Sequence, residues 1–440
     1  MDFILSCALF LSALIFSVSY GIHILFPLML GLFCFLAMGI YRGFSLICVL
    51  KMMISGMGRV VIVLRMFFLI GIITAVWRAC GTIPFFVYHG VSLIEPRFFI
   101  LFAFVLSCFI SLLIGSSIGS AATIGIILMT IARSSGADVN VTAGAIIAGI
   151  YFGDRCAPTS TSANLIAVLT KTDLLDNIKN MLRSALVPLV ISLMIYASFS
   201  IWYGLDKTDD YLLSEIPANF SIGLVTAVPA LAVIILSALR YKVHISMIVS
   251  IFFGVLIALF VQGTDLYELL NYMLTGYKSK SPEEQFARII SGGGIVSMLN
   301  IIGIVMISSA YSGIFEGTGA LKDVIGFLKS CARKIAIYPV TLMTAFFTAA
   351  FGCTQSLSII LTNHLMRDVY SKNGLNNSAL ALDIEDSSVV VAALIPWNVA
   401  VAVPMIMLSV GVGSIPYAVF LYILPVYRIF FSFPAQRQLS

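Results

Sequence analysis

Two aspartates lie inside otherwise apolar stretches of the sequence, where a charged side chain is costly to bury. Asp154 opens one run of polar residues, and Asp386 follows Glu385 at the start of another. Carboxylate, hydroxyl and amide oxygens near them are the ligand types that hard cations prefer. The predicted ion- or substrate-binding set contains Asp154, Ser160, Thr161, Asn164, Asp386, Asn398, Thr354, Ser356, Ser116 and Ser117.

The same stretches carry residues that interrupt helices. Proline donates no backbone hydrogen bond and disfavours helix in the residue before it. The segments 115–123 and 352–358 are rich in small residues and are typical of re-entrant hairpin tips, although such residues also serve as close-packing seams. The residues predicted to break the helical backbone are Gly153, Pro158, Gly352 and Pro396.

Several of these residues have an alternative, structural interpretation. Asp154 could pair with the neighbouring Arg155 at a membrane surface, and Asp386 could cap the helix that follows it. Arg78 and Glu316 occupy corresponding positions near the ends of paired apolar runs. They could form a gate or a salt bridge, whereas a snorkelling role at the surface is the alternative.

The composition identifies the elements that must position these residues. Of 440 residues, 60% are hydrophobic and 10% are charged, against roughly 25% charged in an ordinary soluble domain. A transmembrane helix needs about 20 apolar residues. The composition therefore predicts an all-α polytopic membrane protein and excludes a disordered chain, a soluble enzyme and a nucleic-acid binder. Apolar runs of spanning length lie at 3–20, 22–40, 60–77, 98–114, 184–204, 219–239, 244–262, 289–312, 389–411 and 415–433.

The basic residues concentrate in alternate loops, which explains the net charge of +5. By the positive-inside rule both termini are predicted to be cytoplasmic. The first apolar stretch has no basic region before it and no cleavage signal, so we expect a retained span. The basic residues of these loops are Arg42, Lys51, Arg59, Lys171, Lys179, Arg183, Arg240, Lys242, Lys322, Lys329, Arg333, Lys334, Arg428 and Arg437.

With this orientation, the two halves of the chain enter the membrane in opposite directions, and their landmarks recur. The offsets between corresponding landmarks are 236, 237 and 232 residues, for the pairs Gly81 and Gly317, Gly115 and Gly352, and Asp154 and Asp386. This pattern predicts two inverted-topology repeats, residues 1–215 and 216–440, each with a re-entrant hairpin and a discontinuous helix. Such repeats are typical of secondary transporters.

Motifs for other chemistry are weak. The eight cysteines are scattered, and no nucleotide loop, haem pair or iron–sulfur spacing occurs, so no cofactor and no resident metal are predicted. Gly115–Gly119 matches the nucleophile-elbow pattern around Ser117, but no strand–turn–helix context surrounds it. The protein is therefore expected not to be an enzyme. An intramembrane serine hydrolase is the alternative, and labelling by a serine-reactive phosphonate that is lost in Ser117→Ala would support it.

At these residues the chain resembles the NhaC family of bacterial sodium/proton antiporters, within the ion-transporter superfamily. The resemblance covers about residues 50–435, and the family pattern implies ten or more spans in two inverted repeats. Where this family commonly carries a second acidic residue after the proline, this chain has Thr161. The motifs are Gly115-Ser116-Ser117-Ile118-Gly119; Gly153-Asp154-Arg155 with Pro158 and Asn164; Gly292-Gly293 with Ser297-Met298; Glu316-Gly317-Thr318-Gly319; and Glu385-Asp386-Ser387 followed by Leu394-Ile395-Pro396-Trp397-Asn398.

The resulting functional hypothesis is sodium/proton antiport, or antiport of another monovalent cation, at membrane-buried carboxylates. A proton and a cation would compete for Asp154 and Asp386, and alternating access would convert that competition into exchange. Because relatives of similar pattern exchange malate and lactate or move amino acids, the alternative is sodium- or proton-coupled transport of a small organic acid or amino acid. A passive channel fits two broken helices less well. The expected location is the bacterial inner membrane, and a homodimer is a further expectation.

Overall fold

The computed structural model describes residues 3–20, 25–58, 61–93, 96–134, 136–203, 210–239, 241, 243–283, 286–287, 290–319, 336–352 and 354–431. Part of the basic-loop pattern lies outside these ranges, so its placement stays a prediction. The residues concerned are Arg59, Arg240, Lys242, Lys322, Lys329, Arg333, Lys334 and Arg437.

The first half of the described chain is helical throughout. Its helices are α1 (Phe3–Ser19), α2 (Leu25–Tyr41), α3 (Leu46–Gly58), α4 (Val61–Ala79), α5 (Thr82–Leu93), α6 (Phe99–Ile114), α7 (Ser117–Ser120), α8 (Ile126–Ser134), α9 (Val139–Cys156), α10 (Thr161–Thr170), α11 (Leu174–Tyr203) and α12 (Asp210–Asn219). A 3₁₀ turn at Pro96–Phe98 leads into α6, and a π turn at Ala121–Gly125 joins α7 to α8. The predicted boundary between the repeats, at residue 215, falls within α12.

The second half is also helical. Its helices are α13 (Leu224–Ala238), α14 (Val243–Phe260), α15 (Leu266–Thr275), α16 (Leu299–Gly317), α17 (Ile337–Gly352), α18 (Gln355–Lys372), α19 (Asn377–Ile384), α20 (Val390–Ala392), α21 (Val399–Met407) and α22 (Val419–Phe430). A π turn at Glu385–Val389 joins α19 to α20, and 3₁₀ turns precede α16 and α22. The one β feature among the described residues is an isolated antiparallel bridge between Tyr277 and Gly292. The predicted all-α class is confirmed.

Each predicted apolar run contains helix, but few helices are long. Within the described residues, α11 and the stretch Ile295–Gly317 are long and apolar enough to cross a membrane. A third candidate is the pair Phe67–Ala79 and Thr82–His89, which is bent by 64°. The bend lies at Gly81, whose φ of 81° is strained for residues with a side chain. The other apolar helices have 10–17 residues, because breaks and turns divide the apolar runs.

Small residues let several helices approach closely, as is common where packing and not water-driven burial holds helices together. A Cβ on Gly153 of α9 would lie 2.5 Å from the carbonyl oxygen of Cys108 on α6. One on Gly56 of α3 would lie 2.2 Å from the carbonyl oxygen of Ser309 on α16. The glycines at these crossings therefore let the helices pack closely. Gly153 was predicted to break the helical backbone, but it lies inside α9, where the absence of a side chain serves packing against α6.

The outer surface is apolar to a degree unusual for a water-soluble protein. Large hydrophobic side chains are exposed along many helices, and their exposure suits contact with lipid acyl chains. Examples with more than 60% exposure are Phe26, Phe33, Trp202, Phe260 and Phe430. The interior contains one large apolar cluster and a polar region around the broken helices, which forms the candidate site.

Candidate functional site

The first break separates α9 from α10. Asp154 lies in the last turn of α9, and the backbone leaves the helix between Cys156 and Thr161, around Pro158. The Ser160 hydroxyl restarts the helix because it accepts a hydrogen bond from the Ala163 amide at 3.3 Å. The break that Pro158 predicted is therefore present.

The tip of the first predicted hairpin packs against this break. Gly115 ends α6 with a φ of 68°, and a Cβ there would lie 1.9 Å from the Thr159 hydroxyl oxygen. Ser116 caps α7 by accepting a hydrogen bond from the Gly119 amide. Ser117, the next residue, is buried beside Asp154. The glycine thus allows two interrupted backbone segments to meet next to a buried carboxyl.

The second half has a related arrangement. Thr354 caps α18, and Asn398 caps α21 after the break that contains Pro396. The side-chain amide of Asn398 donates to the Ala349 carbonyl oxygen at 2.8 Å, and the Trp397 indole donates to that of Ala350 at 2.8 Å. The break before α21 is therefore tied to the end of α17, as the break before α10 is tied to the end of α6.

Asp386 lies at the centre of a buried ion-pair network. Its carboxylate accepts a hydrogen bond from Arg155, which follows Asp154 in the sequence. Arg428 of α22 approaches the second carboxylate oxygen at 2.9 Å and also pairs with Asp383. These four charged side chains are at most 1% exposed. Each buried guanidinium therefore has a carboxylate partner, which burial requires.

Neutral groups complete this network. The Ser184 hydroxyl of α11 lies 3.2 Å from the Asp386 carboxylate, and the Tyr338 hydroxyl donates to the Asp386 carbonyl oxygen at 3.0 Å. The Tyr370 hydroxyl donates to the Asp383 carboxylate at 2.5 Å. Helices from both halves of the chain hold the acidic π turn in this way. The network is therefore suited to hold the acidic π turn at Glu385–Val389 in one geometry.

Two other buried carboxyls have no ion-pair partner among the described residues. Glu385 is fully buried, and neither of its carboxylate oxygens has a hydrogen-bond partner in the described part of the chain. Asp154 is 4% exposed, and its Oδ1 is likewise unpaired there. The two carboxyls are close enough to interact electrostatically, with Arg155 also in range of Glu385. Ser117 and Ser160 border Asp154.

The charges of this region do not balance. Four buried carboxyls (Asp154, Asp383, Glu385 and Asp386) face two buried guanidiniums, those of Arg155 and Arg428. If all four carboxyls were ionised, two negative charges would remain uncompensated in a low-dielectric interior, where an isolated charge is strongly disfavoured. The region therefore has the capacity to take up protons or a cation at its two unpaired members.

The structure brings some predicted ligands together and separates others. Ser117, Ser160 and Asp154 meet at the first break, whereas Thr161, Asn164 and Ser356 are exposed. The polar atoms of Ser116, Ser160, Thr354 and Asn398 cap helices. A role for these residues as ion ligands stays a prediction.

Arg78 and Glu316 occupy the ends of α4 and α16. Arg78 is 9% exposed and donates from Nη1 to the Thr74 carbonyl oxygen at 2.8 Å, whereas Glu316 is exposed. The ion pairs of the described residues do not join the two. A gating role for them stays a prediction.

The intramembrane hydrolase alternative gains no geometric support. Ser117 is buried next to Tyr151 and Asp154, and the histidines whose side chains the structure describes, His89, His244 and His364, are exposed. The described part of the chain thus places no imidazole base beside this hydroxyl. A nucleophilic serine is activated by an adjacent general base, most often a histidine and in some enzymes a lysine.

Several residues of the site were not singled out from the sequence. The sequence shows Glu385 as half of an acidic pair, but the predicted exchange role falls on Asp386. A buried arginine near the end of an apolar run could have indicated Arg428, since such residues pair inside a membrane. The hydroxyl chain Ser388–Thr362–Thr348–Ser358, with oxygen separations of 2.8–3.0 Å, carried no sequence signal.

Comparison with known proteins gives consistent matches. A family model described as "Na+/H+ antiporter family" matches residues 149–434. The chain is 27% identical over 434 residues to the "Na(+)/H(+) antiporter NhaC" of Bacillus subtilis, covering 97% of this chain and 96% of the relative. It is 29% identical over 374 residues to a protein of the same name from Alkalihalophilus pseudofirmus, covering 83% and 80%. It is 28% identical over 390 residues to the "Malate-2H(+)/Na(+)-lactate antiporter" of Bacillus subtilis, covering 86% and 83%.

Proposed function

The chain belongs to the Na+/H+ antiporter family, and we propose that it exchanges sodium ions for protons by competition at the buried carboxyls of Asp154 and Glu385. The observation that carries this proposal is the presence of two buried carboxyls without an ion-pair partner among the described residues, beside a network in which every charged side chain has one. Family membership supplies the reaction, and the geometry supports these residues as its site.

Competition follows from the charge balance. A buried carboxylate without a positively charged partner is unfavourable, so Asp154 and Glu385 gain stability either from protons or from a bound cation. Protonation removes the charge that attracts sodium, and sodium favours the ionised form that has lost its proton. One site can therefore carry either species, and alternating access makes the two transport steps opposite in direction.

Asp386 has a different role in this proposal. Its two arginine partners already satisfy its charge, so a sodium ion would have to compete with Arg155 and Arg428. We assign Asp386 to holding Arg155 next to Asp154 and Glu385. This assignment is supported by the electrostatic interaction between Arg155 and Glu385. The positive charge of Arg155 moderates the repulsion between the carboxyls of Asp154 and Glu385.

The wider architecture is also part of the proposal. Each half has an interrupted hairpin whose end packs against a later break, which supports two inverted repeats divided near residue 215. The basic residues of the alternate loops support cytoplasmic termini in a bacterial inner membrane. A homodimer remains an expectation from the sequence.

Coupled transport of a small organic acid or amino acid is the second candidate. The specific features that favour it are Thr161, where the family commonly carries an acid, and the similarity to an antiporter named for malate and lactate. Accumulation of labelled malate or lactate in vesicles under an imposed sodium or proton gradient would support this candidate. Simple sodium/proton exchange would be disfavoured if sodium alone, without the organic solute, drove no proton flux.

The direct test is sodium-driven proton flux in proteoliposomes that contain the purified chain and a trapped pH-sensitive dye. We expect Asp154→Asn and Glu385→Gln each to reduce sodium-dependent exchange at least 100-fold. Matched controls on exposed acids, Asp176→Asn and Glu283→Gln, should retain wild-type flux. Normal sodium-dependent exchange with an unchanged pH profile in both site variants would refute the proposal.

A further inference from the structure

A separate cavity lies at the other end of α21 from Asn398. It has a volume of about 620 Å³ and is bordered by the end of α4, the segment 292–298 and the turn after α21. At 1.5 Å rise per residue, the two ends of α21 are about 13 Å apart. The polar residues of its wall are Thr74, Arg78, Thr275, Ser297 and Ser409.

Arg78 is the one charged residue of this wall within the described chain. Its side chain is 9% exposed, and only Nη1 is engaged, by the Thr74 carbonyl oxygen. Its Nε has no hydrogen-bond partner, and no carboxylate forms an ion pair with it among the described residues. A buried guanidinium in this state is unfavourable without a counter-anion.

The surroundings of Arg78 leave room for such an anion. Gly292 and Arg78 line the same cavity, and a Cβ on Gly292 would make only an ordinary van der Waals contact with Nε of Arg78, at 3.7 Å. Arg133 lies close enough to Arg78 for their positive charges to repel. Its Nη2 donates to the Ser409 carbonyl oxygen at 2.9 Å, which fixes it beside the cavity. Two positive charges therefore lie at this cavity, Arg78 in its wall and Arg133 next to the lining residue Ser409.

We propose that this cavity binds a small oxyanion, a carboxylate or phosphate, through the free Nε–Nη2 edge of Arg78. The planar guanidinium edge offers two parallel donors that match two oxygens of such a group. Neither Asp154 nor Glu385 borders the cavity. The anion site is thus distinct from the cation site, and its existence does not depend on the proposed exchange reaction.

The test measures binding to the full chain in detergent micelles by calorimetry, with succinate and inorganic phosphate as probes in sodium-free buffer. We expect at least one probe to bind the wild type and Arg78→Gln to weaken it at least tenfold, equivalent to about 1.4 kcal/mol. Arg78→Lys keeps the charge but loses the two-donor edge and should weaken binding at least threefold. Arg65→Gln, on the exposed part of the same helix, should leave binding unchanged.

Each outcome has a defined meaning. Wild-type affinity in Arg78→Lys, which keeps the positive charge and a long side chain, overturns the proposal even if Arg78→Gln does not fold. Absence of binding by both probes overturns it as well. A parallel measurement in nanodiscs with and without phosphatidylglycerol distinguishes the source of the oxyanion. Probe binding that is lost only in the nanodiscs containing phosphatidylglycerol would mean that the anionic lipid headgroup, and not a free solute, occupies the cavity in the membrane.

Discussion

The adjacent acids Glu385 and Asp386 should respond in opposite ways to the same neutralising substitution. Glu385→Gln removes a buried charge that has no partner, so it should leave folding stability unchanged or raise it while it abolishes exchange. Asp386→Asn removes the carboxylate that pairs with Arg155 and Arg428. It leaves two buried guanidiniums with less compensation and should therefore destabilise the protein.

The magnitude for Asp386→Asn follows from that environment. Removing one member of a buried ion pair costs about 3–5 kcal/mol. Asparagine still offers one oxygen to Arg155, and Asp383 still pairs with Arg428, so the lower end of about 3 kcal/mol applies. At 1.4 kcal/mol per factor of ten, the unfolded population rises roughly 100-fold.

The assay combines two measurements on each variant. Denaturant unfolding in detergent, followed by tryptophan fluorescence, reports stability, and proteoliposome flux reports exchange. The expected pattern is a stable, inactive Glu385→Gln and a destabilised Asp386→Asn that retains sodium-dependent exchange wherever it folds. The reverse pattern, with Asp386→Asn stable and inactive and Glu385→Gln active, would refute the assignment and restore Asp386 as the exchanging carboxyl.

Three further predictions concern stability. Gly153→Ala should lower the yield of folded protein and reduce the free energy of unfolding by about 1–3 kcal/mol, because its Cβ would lie 2.5 Å from backbone atoms of the facing α6. The control Gly58→Ala, whose Cβ would meet open space, should behave as wild type in size-exclusion chromatography. Tyr370→Phe removes a charge-assisted hydrogen bond to Asp383 and should lower the free energy of unfolding by about 1.5–3 kcal/mol; an unchanged denaturation midpoint would contradict this. Glu268 lies in α15, outside the predicted spans, and its hydrogen bonds with Lys280 and Tyr272 lower the pKa of its carboxyl. The ionised carboxylate of Glu268 therefore stabilises the fold above its unfolded-state pKa, and this contribution is lost as the pH falls through the lowered folded-state pKa. Glu268→Gln should reduce the melting temperature at pH 7 but not at the acid end of a pH series. A difference in melting temperature that does not depend on pH would contradict this prediction.

The helices themselves were largely predictable from local sequence. Long apolar runs allow a backbone to satisfy its hydrogen bonds only within a helix, and α11 and α16 overlap two of those runs. Their boundaries differ from the prediction: α11 begins ten residues before its run, and α16 begins ten residues into its run and ends five residues beyond it. Pro158 indicated the break between α9 and α10 because a proline removes a donor wherever it stands. The family resemblance rested on the same local motifs and is confirmed by the matches.

The roles of individual carboxyls were not predictable in this way. Glu385 and Asp386 are neighbours of the same chemical type, and nothing local distinguishes them. Asp386 is paired because Arg155, 231 residues earlier, is brought beside it by the packing of α9 against the acidic π turn. Arg78 similarly looked like one end of a gate, and only the loop at Gly292 revealed a cavity at its free edge.

Sequence alone therefore determined that this chain is helical and apolar, that a helix breaks at Pro158, and to which family the chain belongs. These properties depend on residues within one or two helical turns of each other, or on short motifs read in order. The tertiary structure decided which buried charges are compensated and which remain open. That outcome depends on the distances between charges on different helices, since electrostatic energy in a low-dielectric interior changes steeply with separation.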